Sequence, residues 1–588
     1  AAYEARQADS GASQQPEDKI HIVLRQVKQM LLSANPEAKS KALKVLVNIG
    51  RTESNIKPIL DNGIMQLLHK HLKSDDWTIR EGSARAIGVL SEWPACEKAA
   101  RDEGIILSLV QNLTHASEVV ILQSAKALIT LTKEPESQKA LRASGGLTQL
   151  LNMMDSPNEM FVLQAVWTFS HVLEDEQFQQ DFYEAGGVRK LLMLLGSKNP
   201  GIQFRVLVAL GNLISNANIY PIIEKAAVLK RFLLLLDSKS PILRLQAAKA
   251  TERMSSKGAL RSEITRNGGM ETLVRLLDPD NDQELIMAGL NCLINFATDK
   301  KQILSFKQAG GLPAVLQVLE HSNHIVQYQG IRFFCAFVDK DELNKEISRA
   351  IGFIPRCIGL LTSSHPGIQK TAVETLVELC SSPKCVETIQ AGGGLPPLLS
   401  LIDHQSDDIK ESAILIISHI VSRDESVKQT IISTGSVKKI IHLLRSPSLK
   451  IKEASALVLC PLCSDDQVRN FVMTLNGIPS LVSVLQSSGD EKVQEIVLSA
   501  FNAFIREAQY HDLIMQTGAT EAILSFLNNP RVIVQTAAIR CTLLLCANES
   551  NRAGLCSLNA VSLLQQLAGN APSPSLQAAA TKCVSFLQ

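Results

Sequence analysis

Apolar residues along this chain recur with the spacing of one face of an α-helix. From Ile20 onward they return at intervals of three and four, as in Ile20, Val23, Leu24, Val27 and Leu31, which is the pattern of an amphipathic helix. No stretch stands out with the period of two that is typical of a half-buried β-strand. The pattern therefore predicts an all-α protein.

Glycines interrupt these helical stretches at a nearly constant interval of 41 or 42 residues. A single gap of 82 residues, from Gly186 to Gly268, has Ala226 at its middle. Around each glycine the order predicts a short helix, a glycine bend, a second helix, a polar turn and a long third helix. The positions that mark the interval are Gly63, Gly104, Gly145, Gly186, Gly268, Gly310, Gly352, Gly393, Gly435, Gly477 and Gly518, followed by Ala560.

A helical unit repeated at this interval predicts a solenoid, in which each unit packs only on its neighbours. We expect one continuous solenoid over residues 18–588, an α-α superhelix of about 12–13 three-helix repeats. Residues 1–17 are polar and small, so they cannot bury a core, and we expect a disordered lead-in there.

The segment from Glu184 to Leu195, EAGGVRKLLMLL, resembles the repeat of the armadillo family, and it returns in phase along nearly the whole chain. In that family the third helices line a groove that binds extended peptides, so the resemblance implies such a groove here. Within that family the chain resembles β-catenin-like and axonemal-type proteins. Importin-α-like repeats carry a tryptophan and, four residues later, an asparagine on each third helix. Only Trp167 keeps that tryptophan, and His171 follows it, so importin-α-like cargo binding is not expected.

The tryptophan position and the asparagine position of successive third helices form two columns along the stack. In the N-terminal half these two columns hold mostly cations and amides. Residues four apart share a helix face, so these side chains should line one surface. Amides can bond the backbone of a strand and cations can bind acidic side chains, which predicts extended acidic or amphipathic segments of proteins as partners. The alternative is that several of these residues are ordinary solvated or partly buried helix positions. The predicted partner-binding residues are Lys44, Asn48, Arg85, Lys126, Trp167, His171, Asn212, Lys249, Arg253 and Asn295.

In the C-terminal half the columns are apolar and acidic, which predicts a different partner there. After residue 400 the first column is leucine in three successive repeats, which indicates that it turns into the core. The residues assigned to these columns are Phe333, Phe337, Glu374, Glu378, Leu415, Leu457 and Leu498.

Composition and charge narrow the function classes. The formal net charge is +1, so overall charge predicts no nucleic-acid partner. No run of about 18 apolar residues occurs, so no transmembrane segment is predicted. Twelve cysteines without a disulfide framework indicate reduced thiols, and hence a cytoplasmic protein, with a nuclear or a ciliary and cytoskeletal location as alternatives.

Motifs for chemistry are weak in this sequence. Cys460 and Cys463 form a CxxC without a second pair, which favours core packing over zinc. The acidic turn from Asp278 to Asp282 lacks the glycine and glutamate of a calcium loop. His69 and His71 stand two residues apart, which does not place both on one helix face. We therefore predict no cofactor, no metal and no enzymatic activity.

These patterns predict a non-catalytic scaffold or adaptor, in a possible larger assembly. The alternative is a regulator of a catalytic partner, either an exchange factor of the armadillo type for small GTPases or an autoinhibitory segment of a larger enzyme. The start at Ala1 without a methionine is compatible with a piece of a longer protein.

Overall fold

A computed structural model of the chain describes residues 16–214, 216, 218, 219, 222, 228–297, 299–339, 341–570 and 572–588. Within these residues the secondary structure is helical and contains no strand, which confirms the all-α prediction. The first helix begins at Pro16, so the last two residues of the predicted lead-in are helical. Residues 1–15 and Ala226, the middle of the long glycine gap, lie outside the described residues.

The chain divides into two compact units, Ala1–Gly311 and Leu312–Gln588. The prediction that they form one continuous solenoid stays a prediction. The α-helices that lie within unit 1 are α1 Pro16–Leu32, α2 Pro36–Ile49, α3 Ile56–Asp61, α4 Ile64–His71, α5 Trp77–Leu90, α6 Pro94–Asp102, α7 Ile105–Asn112, α8 Glu118–Leu131, α9 Pro135–Ala143, α10 Gly146–Met153, α11 Glu159–Val172, α12 Glu176–Glu184, α13 Gly187–Leu194, α14 Pro200–Leu213, α15 Val228–Leu236, α16 Pro241–Ser255, α17 Gly258–Arg266, α18 Gly269–Arg275, α19 Gln283–Ala297 and α20 Lys300–Gln308.

Unit 2 begins inside α21, Gly311–Val318. Three short 3₁₀ helices, Glu53–Asn55, Ala508–Tyr510 and Phe526–Asn528, complete the helical elements of the described chain. The α-helices that follow α21 are α22 His324–Val338, α23 Glu342–Ala350, α24 Phe353–Leu360, α25 Pro366–Leu379, α26 Pro383–Ala391, α27 Leu395–Leu401, α28 Asp407–Val421, α29 Glu425–Ser433, α30 Ser436–Leu443, α31 Leu449–Leu462, α32 Asp466–Thr474, α33 Gly477–Ser487, α34 Glu491–Ile505, α35 His511–Gln516, α36 Ala519–Ser525, α37 Val532–Ala547, α38 Glu549–Ser557, α39 Ala560–Asn570 and α40 Pro574–Leu587.

The repeat has the predicted order of a short first helix, a second helix and a long third helix. Each third helix packs against the next one within its unit, as α5 does on α8 and α25 on α28. Their inward side chains are small and aliphatic, and in α8 Ala125, Leu128 and Leu131 are fully buried. Burial of such side chains is the main stabilising term.

A left-handed residue joins the first and second helices of each repeat whose bend lies in the described residues. Gly186 has φ 78° and open space where a Cβ would stand, so the requirement is conformational rather than steric. The predicted glycine bend is confirmed at ten glycines with φ between 68° and 79°. In two later repeats the left-handed residue is Asn476 or Asn559, one residue before the predicted Gly477 and Ala560.

Side-chain caps fix both ends of the third helices. At the start of α11, Asn158 Oδ1 accepts a hydrogen bond from the Met160 amide at 3.0 Å, which is a common N-cap. At its end, Gln179 Nε2 from α12 donates to the Leu173 carbonyl at 2.9 Å and to the Asn212 carbonyl at 3.3 Å. Because Gln179 is buried, this bond holds the ends of α11 and α14 together.

Candidate functional site

The two predicted columns lie on consecutive third helices of unit 1. Each column residue follows the first residue of its helix by eight or twelve positions, as Lys126 does from Glu118. Their side chains define the third-helix face of unit 1. The exposed members are Lys44, Asn48, Arg85, Lys126, Lys249 and Arg253, and the half-buried members are Trp167, His171, Asn212 and Asn295.

Two of the predicted cations of these columns form ion pairs with acidic residues of the protein itself. Arg85 pairs with Glu81 one turn earlier on α5. Lys249 Nζ lies 2.9 Å from Glu284 Oε2 of the next third helix, and both side chains are exposed. An exposed pair contributes only about 0–1 kcal/mol, so a partner's carboxylate can compete for either cation.

Lys44 and Lys126 differ from these two cations. Both are exposed, and neither has a carboxylate within ion-pair distance among the described residues. They stand two repeats apart on α2 and α8. They are therefore the cations of the third-helix face that are most available to an acidic ligand.

The predicted asparagines connect neighbouring helices. Asn212 Nδ2 donates to the Ser170 carbonyl at 3.2 Å, and its Oδ1 accepts from Arg253 Nη1 at 2.7 Å. Asn295 Nδ2 donates to Ser255 Oγ at 2.8 Å. These bonds hold the columns in register, and a partner's backbone would have to exchange with them.

Trp167 and His171 have neighbours that the sequence reading did not identify. Arg205 from α14 stacks on the Trp167 ring, with its Cζ 3.8 Å from the centroid. His171 Nδ1 donates to the Ile129 carbonyl at 3.2 Å. Burial is the main cause that lowers the pKa of His171 below its usual value, and Arg205 lowers it further. The imidazole is thus neutral near pH 7.

The stacked Arg205 was missed because it is in neither column. It follows Trp167 by 38 residues, three fewer than one period. A similar offset occurs where Asn291 Nδ2 donates to Glu252 Oε1 at 3.0 Å, 39 residues earlier in the chain. A search of the sequence about one helical turn short of the repeat interval would have found these two pairs.

An apolar row accompanies the columns and was also missed. Val119, Met160 and Ile242, the second residues of α8, α11 and α16, are 42%, 44% and 63% exposed. Each stands seven residues before a residue of the first column, which is two helical turns and about 10 Å along the axis. The third-helix face of unit 1 thus has an apolar edge and a cationic edge.

Two cavities open on this face. One of 310 Å³ between α2 and α5 is lined by Lys44, Asn48, Glu81 and Arg85 among others, with a cationic excess of one. The other, of 590 Å³, is lined around Asn212 by Glu174, Glu252, Arg253 and Lys257, whose charges cancel. The basic character is therefore concentrated toward α2.

In unit 2 the predicted column is displaced by one residue at two helices. Phe333 and Phe337 are 1% exposed and belong to the core, whereas Arg332 is exposed. Leu498 is fully buried beside the exposed Ser499, as predicted for the leucine column after residue 400. Placing the phenylalanines on the face was wrong, because one residue corresponds to a rotation of about 100° around a helix. Glu374, Glu378, Leu415 and Leu457 are half-buried.

The remaining candidates for chemistry lie elsewhere. Cys460 in α31 and Cys463 directly after that helix are both buried, and burial raises the pKa of Cys463 to about 12. In the described part of the chain no three His, Cys, Asp or Glu side chains form a group suited to a metal ion. No single described helix has the length and apolarity to cross a membrane, although α32 and α33, bent by 90°, pass that test as a pair.

The comparisons with known proteins agree with this geometry. The family model described as Armadillo/beta-catenin-like repeat matches residues 179–215. A crystal structure of an engineered protein superposes with a TM-score of 0.61 at 24% identity, covering 68% of this chain and 98% of its own. A structure from a study of the interaction between cadherin and beta-catenin gives 0.60 at 14% identity, covering 82% and 98%.

The chain contains an armadillo-type repeat and resembles beta-catenin-like structures in fold. Junction plakoglobin of Xenopus laevis is 23% identical to it over 190 residues, which are 29% of this chain and 26% of plakoglobin. The human plakoglobin is 21% identical over the same coverage. The matched part therefore spans about a quarter of the length of these relatives.

The geometry brings the ten predicted residues onto neighbouring helices. Direct contacts join Arg253 to Asn212, and cavities join Lys44 to Arg85 and Asn212 to Asn295. Such a surface can recognise a ligand by charge and apolar contact along its length. Its role in partner binding stays a prediction.

Proposed function

We propose that this armadillo-repeat protein is a non-catalytic scaffold whose third-helix face in unit 1 binds an extended acidic segment of a partner protein. The structural relative from the cadherin and beta-catenin study concerns an interaction between two proteins, which supports a protein as partner. Because the overall charge is only +1, selectivity for an acidic partner would come from a local surface rather than from the charge of the whole chain.

The observation that carries the proposal is the pairing of two edges on one face. Lys44 and Lys126 supply cations that have no ion-pair partner in the described part of the chain, and Val119, Met160 and Ile242 supply exposed apolar side chains about 10 Å away along the helix axes. Side chains of an extended strand alternate between two sides. A strand that crosses the third helices can therefore place acidic side chains on one edge and apolar side chains on the other.

Spacing along the strand follows from the helix packing. Neighbouring helix axes lie about 8–10 Å apart, so Lys44 and Lys126, two repeats apart, are separated by about 20 Å. An extended chain rises about 3.3 Å per residue. The two acidic side chains should thus stand about six residues apart in the partner.

A reducing compartment suits the same role, and we propose the cytoplasm, with cytoskeletal or ciliary structures as alternatives. All twelve cysteines are free thiols, and ten of them are buried. Free cysteines in such number are typical of proteins from reducing compartments.

An array of extended 14-residue peptides tests the proposal, with Asp or Glu alternating with Leu, Ile or Phe. The full chain should bind members of the array, and the double variant K44E/K126E should bind the same peptides about tenfold more weakly. A charge-assisted hydrogen bond contributes roughly 1.5–3 kcal/mol, and the contribution is smaller here because both lysines are exposed to water. Affinity should also fall as salt rises.

The matched control is K57E/K98E. Lys57 and Lys98 are exposed lysines of unit 1 outside the third-helix columns, and the control changes the net charge by the same amount. If K57E/K98E weakens binding as much as K44E/K126E, or if no acidic peptide binds the unchanged chain, the proposed site is wrong.

A further inference from the structure

A third cavity in unit 1 is separate from the third-helix face. It has a volume of 680 Å³ and shares no lining residue with the cavity around Lys44. The end of α1, the first turn of α2 and the second half of α4 with its following turn form its wall. Its volume is within the range of about 300–1,000 Å³ that is usual for small-molecule sites.

Three lysines line this cavity. Lys39 is half-buried, and Lys70 and Lys73 are exposed. None of the three has a carboxylate within ion-pair distance among the described residues. Asp75 is the single acid in the lining, so the three lysines and this aspartate leave a fixed charge of +2.

Two imidazoles complete the polar wall. His71 is 7% exposed, and its Nε2 donates to the Leu31 carbonyl at 3.0 Å. His69 Nε2 lies 3.0 Å from Ser108 Oγ. Burial is the main cause that lowers the pKa of both histidines, and the lysines lower it further, so both rings are neutral near pH 7 and the +2 excess comes from the lysines.

The surroundings of each imidazole place the cations close to it. Lys39 from α2 and Lys70 from the same helix lower the pKa of His71 by charge repulsion. At His69, Lys73 lowers the pKa and Glu103 raises it. Glu103 accepts a hydrogen bond from Gln66 Nε2 at 2.5 Å. The lysines therefore approach the cavity from two helices and a turn.

We propose that this cavity binds a compact organic polyphosphate, such as an inositol polyphosphate or the headgroup of a phosphoinositide. Lysine is a common phosphate ligand that acts as a point charge, and three lysines around one cavity suit several phosphate groups on one ring. The lining contains no Phe, Tyr or Trp ring, so it offers no platform for stacking a nucleobase.

The rim distinguishes the two sources of that ligand. Leu32, at the end of α1, lines the cavity and is 60% exposed. An exposed leucine beside the cations would contact the lipid if the headgroup belongs to a membrane, whereas a soluble polyphosphate needs no such contact. The class of ligand is the same in both cases.

Titration calorimetry of the full chain with inositol hexakisphosphate is the first arm, with orthophosphate as the single-phosphate comparison. The second arm is co-sedimentation with phosphatidylcholine vesicles that contain or lack phosphatidylinositol bisphosphate. We expect binding in at least one arm, and K70E/K73E should weaken it at least about tenfold because two charge-assisted contacts are replaced by repulsion. Binding of hexakisphosphate assigns the soluble source, and binding only to the loaded vesicles assigns the lipid.

Two controls keep the test specific. K57E/K98E and the third-helix variant K44E/K126E make the same charge change elsewhere in unit 1, and both should stay within about twofold of the unchanged chain. The milder pair Lys70→Gln and Lys73→Gln should give an intermediate loss, and far-ultraviolet circular dichroism checks folding. Equal weakening by the controls, orthophosphate binding as tightly as hexakisphosphate, or no binding in either arm would overturn the proposal.

Discussion

The guanidinium of Arg205 lies over the indole of Trp167, with Cζ 3.8 Å from the ring centroid. The two residues belong to consecutive third helices, α14 and α11, and both are half-buried. Burial lowers the pKa of Arg205 below that of a free guanidinium. The cation is thus partly desolvated, which strengthens its attraction to the ring face.

We expect this stacking to stabilise the contact between α11 and α14 measurably. In a double-mutant cycle of Trp167→Ala and Arg205→Ala, the coupling free energy should be about 0.5–2 kcal/mol. Local opening of α11 and α14 is the appropriate quantity, measured by hydrogen exchange, because a chain of this size need not unfold in two states. Additive effects of the two substitutions would show that the ring and the cation do not interact.

A second prediction concerns the cap at the end of α11. Gln179→Ala removes the donor to the Leu173 and Asn212 carbonyls and should raise local exchange of α11 and α12 by an amount that corresponds to about 1–3 kcal/mol, since buried acceptors are left unpaired. Gln177→Ala, on the exposed side of the same helix, should change the opening free energy by less than about 0.5 kcal/mol. Equal effects at both positions would contradict a capping role.

The left-handed position offers a third prediction with an internal precedent. Gly186→Ala should destabilise its repeat by about 1–2 kcal/mol, because φ is 78° there and a Cβ is disfavoured in that conformation. Gly186→Asn should cost less, since Asn476 and Asn559 adopt the left-handed conformation in their own repeats. The rate of limited proteolysis between α12 and α13 measures the difference. If Asn is cleaved as fast as Ala, the conformational explanation is wrong.

Much of the fold could be predicted because its determinants are local. The left-handed bend needs glycine or asparagine, so its position can be read at Gly186, and the capping side chain of Asn158 marks the start of α11. The long helices follow from the apolar period. None of these features depends on knowing which residues meet across the stack.

The candidate site could be predicted only in part, because its details depend on contacts between repeats. The sequence shows that Lys249 faces outward, but the pair with Glu284 depends on how α16 packs on α19. The stacking of Arg205 depends on the shift between α11 and α14. In unit 2 one interval between third helices is 41 residues, where the prediction assumed 42. The prediction therefore named Phe333 in place of the exposed Arg332, since one residue turns a helix by about 100°.

A fourth prediction concerns pH. Burial first, then Arg205 and Lys133, lower the pKa of His171 from 6.5, while its bond to the Ile129 carbonyl raises it. The unfolded state therefore binds the proton more readily than the folded state. By linkage this contribution to stability is complete above about pH 6.5 and is lost as the pH falls toward the folded pKa.

Hydrogen exchange of α8 and α11 at pH 7.5 and pH 5.5 measures that loss. We expect faster local opening at the lower pH in the unchanged chain and a smaller pH effect in His171→Asn, which has no titrating ring. A pH effect of the same size in His171→Asn would show that another group is responsible.

The last prediction discriminates between two conformations of a partner on the third-helix face. Lys44 and Lys126 are about 20 Å apart if neighbouring helices have the usual separation. An extended partner spans that distance in about six residues at 3.3 Å each, whereas a helical partner needs about thirteen at 1.5 Å each.

Peptides with two glutamates spaced by three, six, nine and thirteen residues therefore distinguish the two conformations by their order of affinity, which fluorescence polarisation with the full chain measures. A maximum at six supports an extended partner, and it should disappear in K44E/K126E but persist in K57E/K98E. A maximum at thirteen would show that the partner binds as a helix, and equal affinity at every spacing would show that the two lysines do not act together.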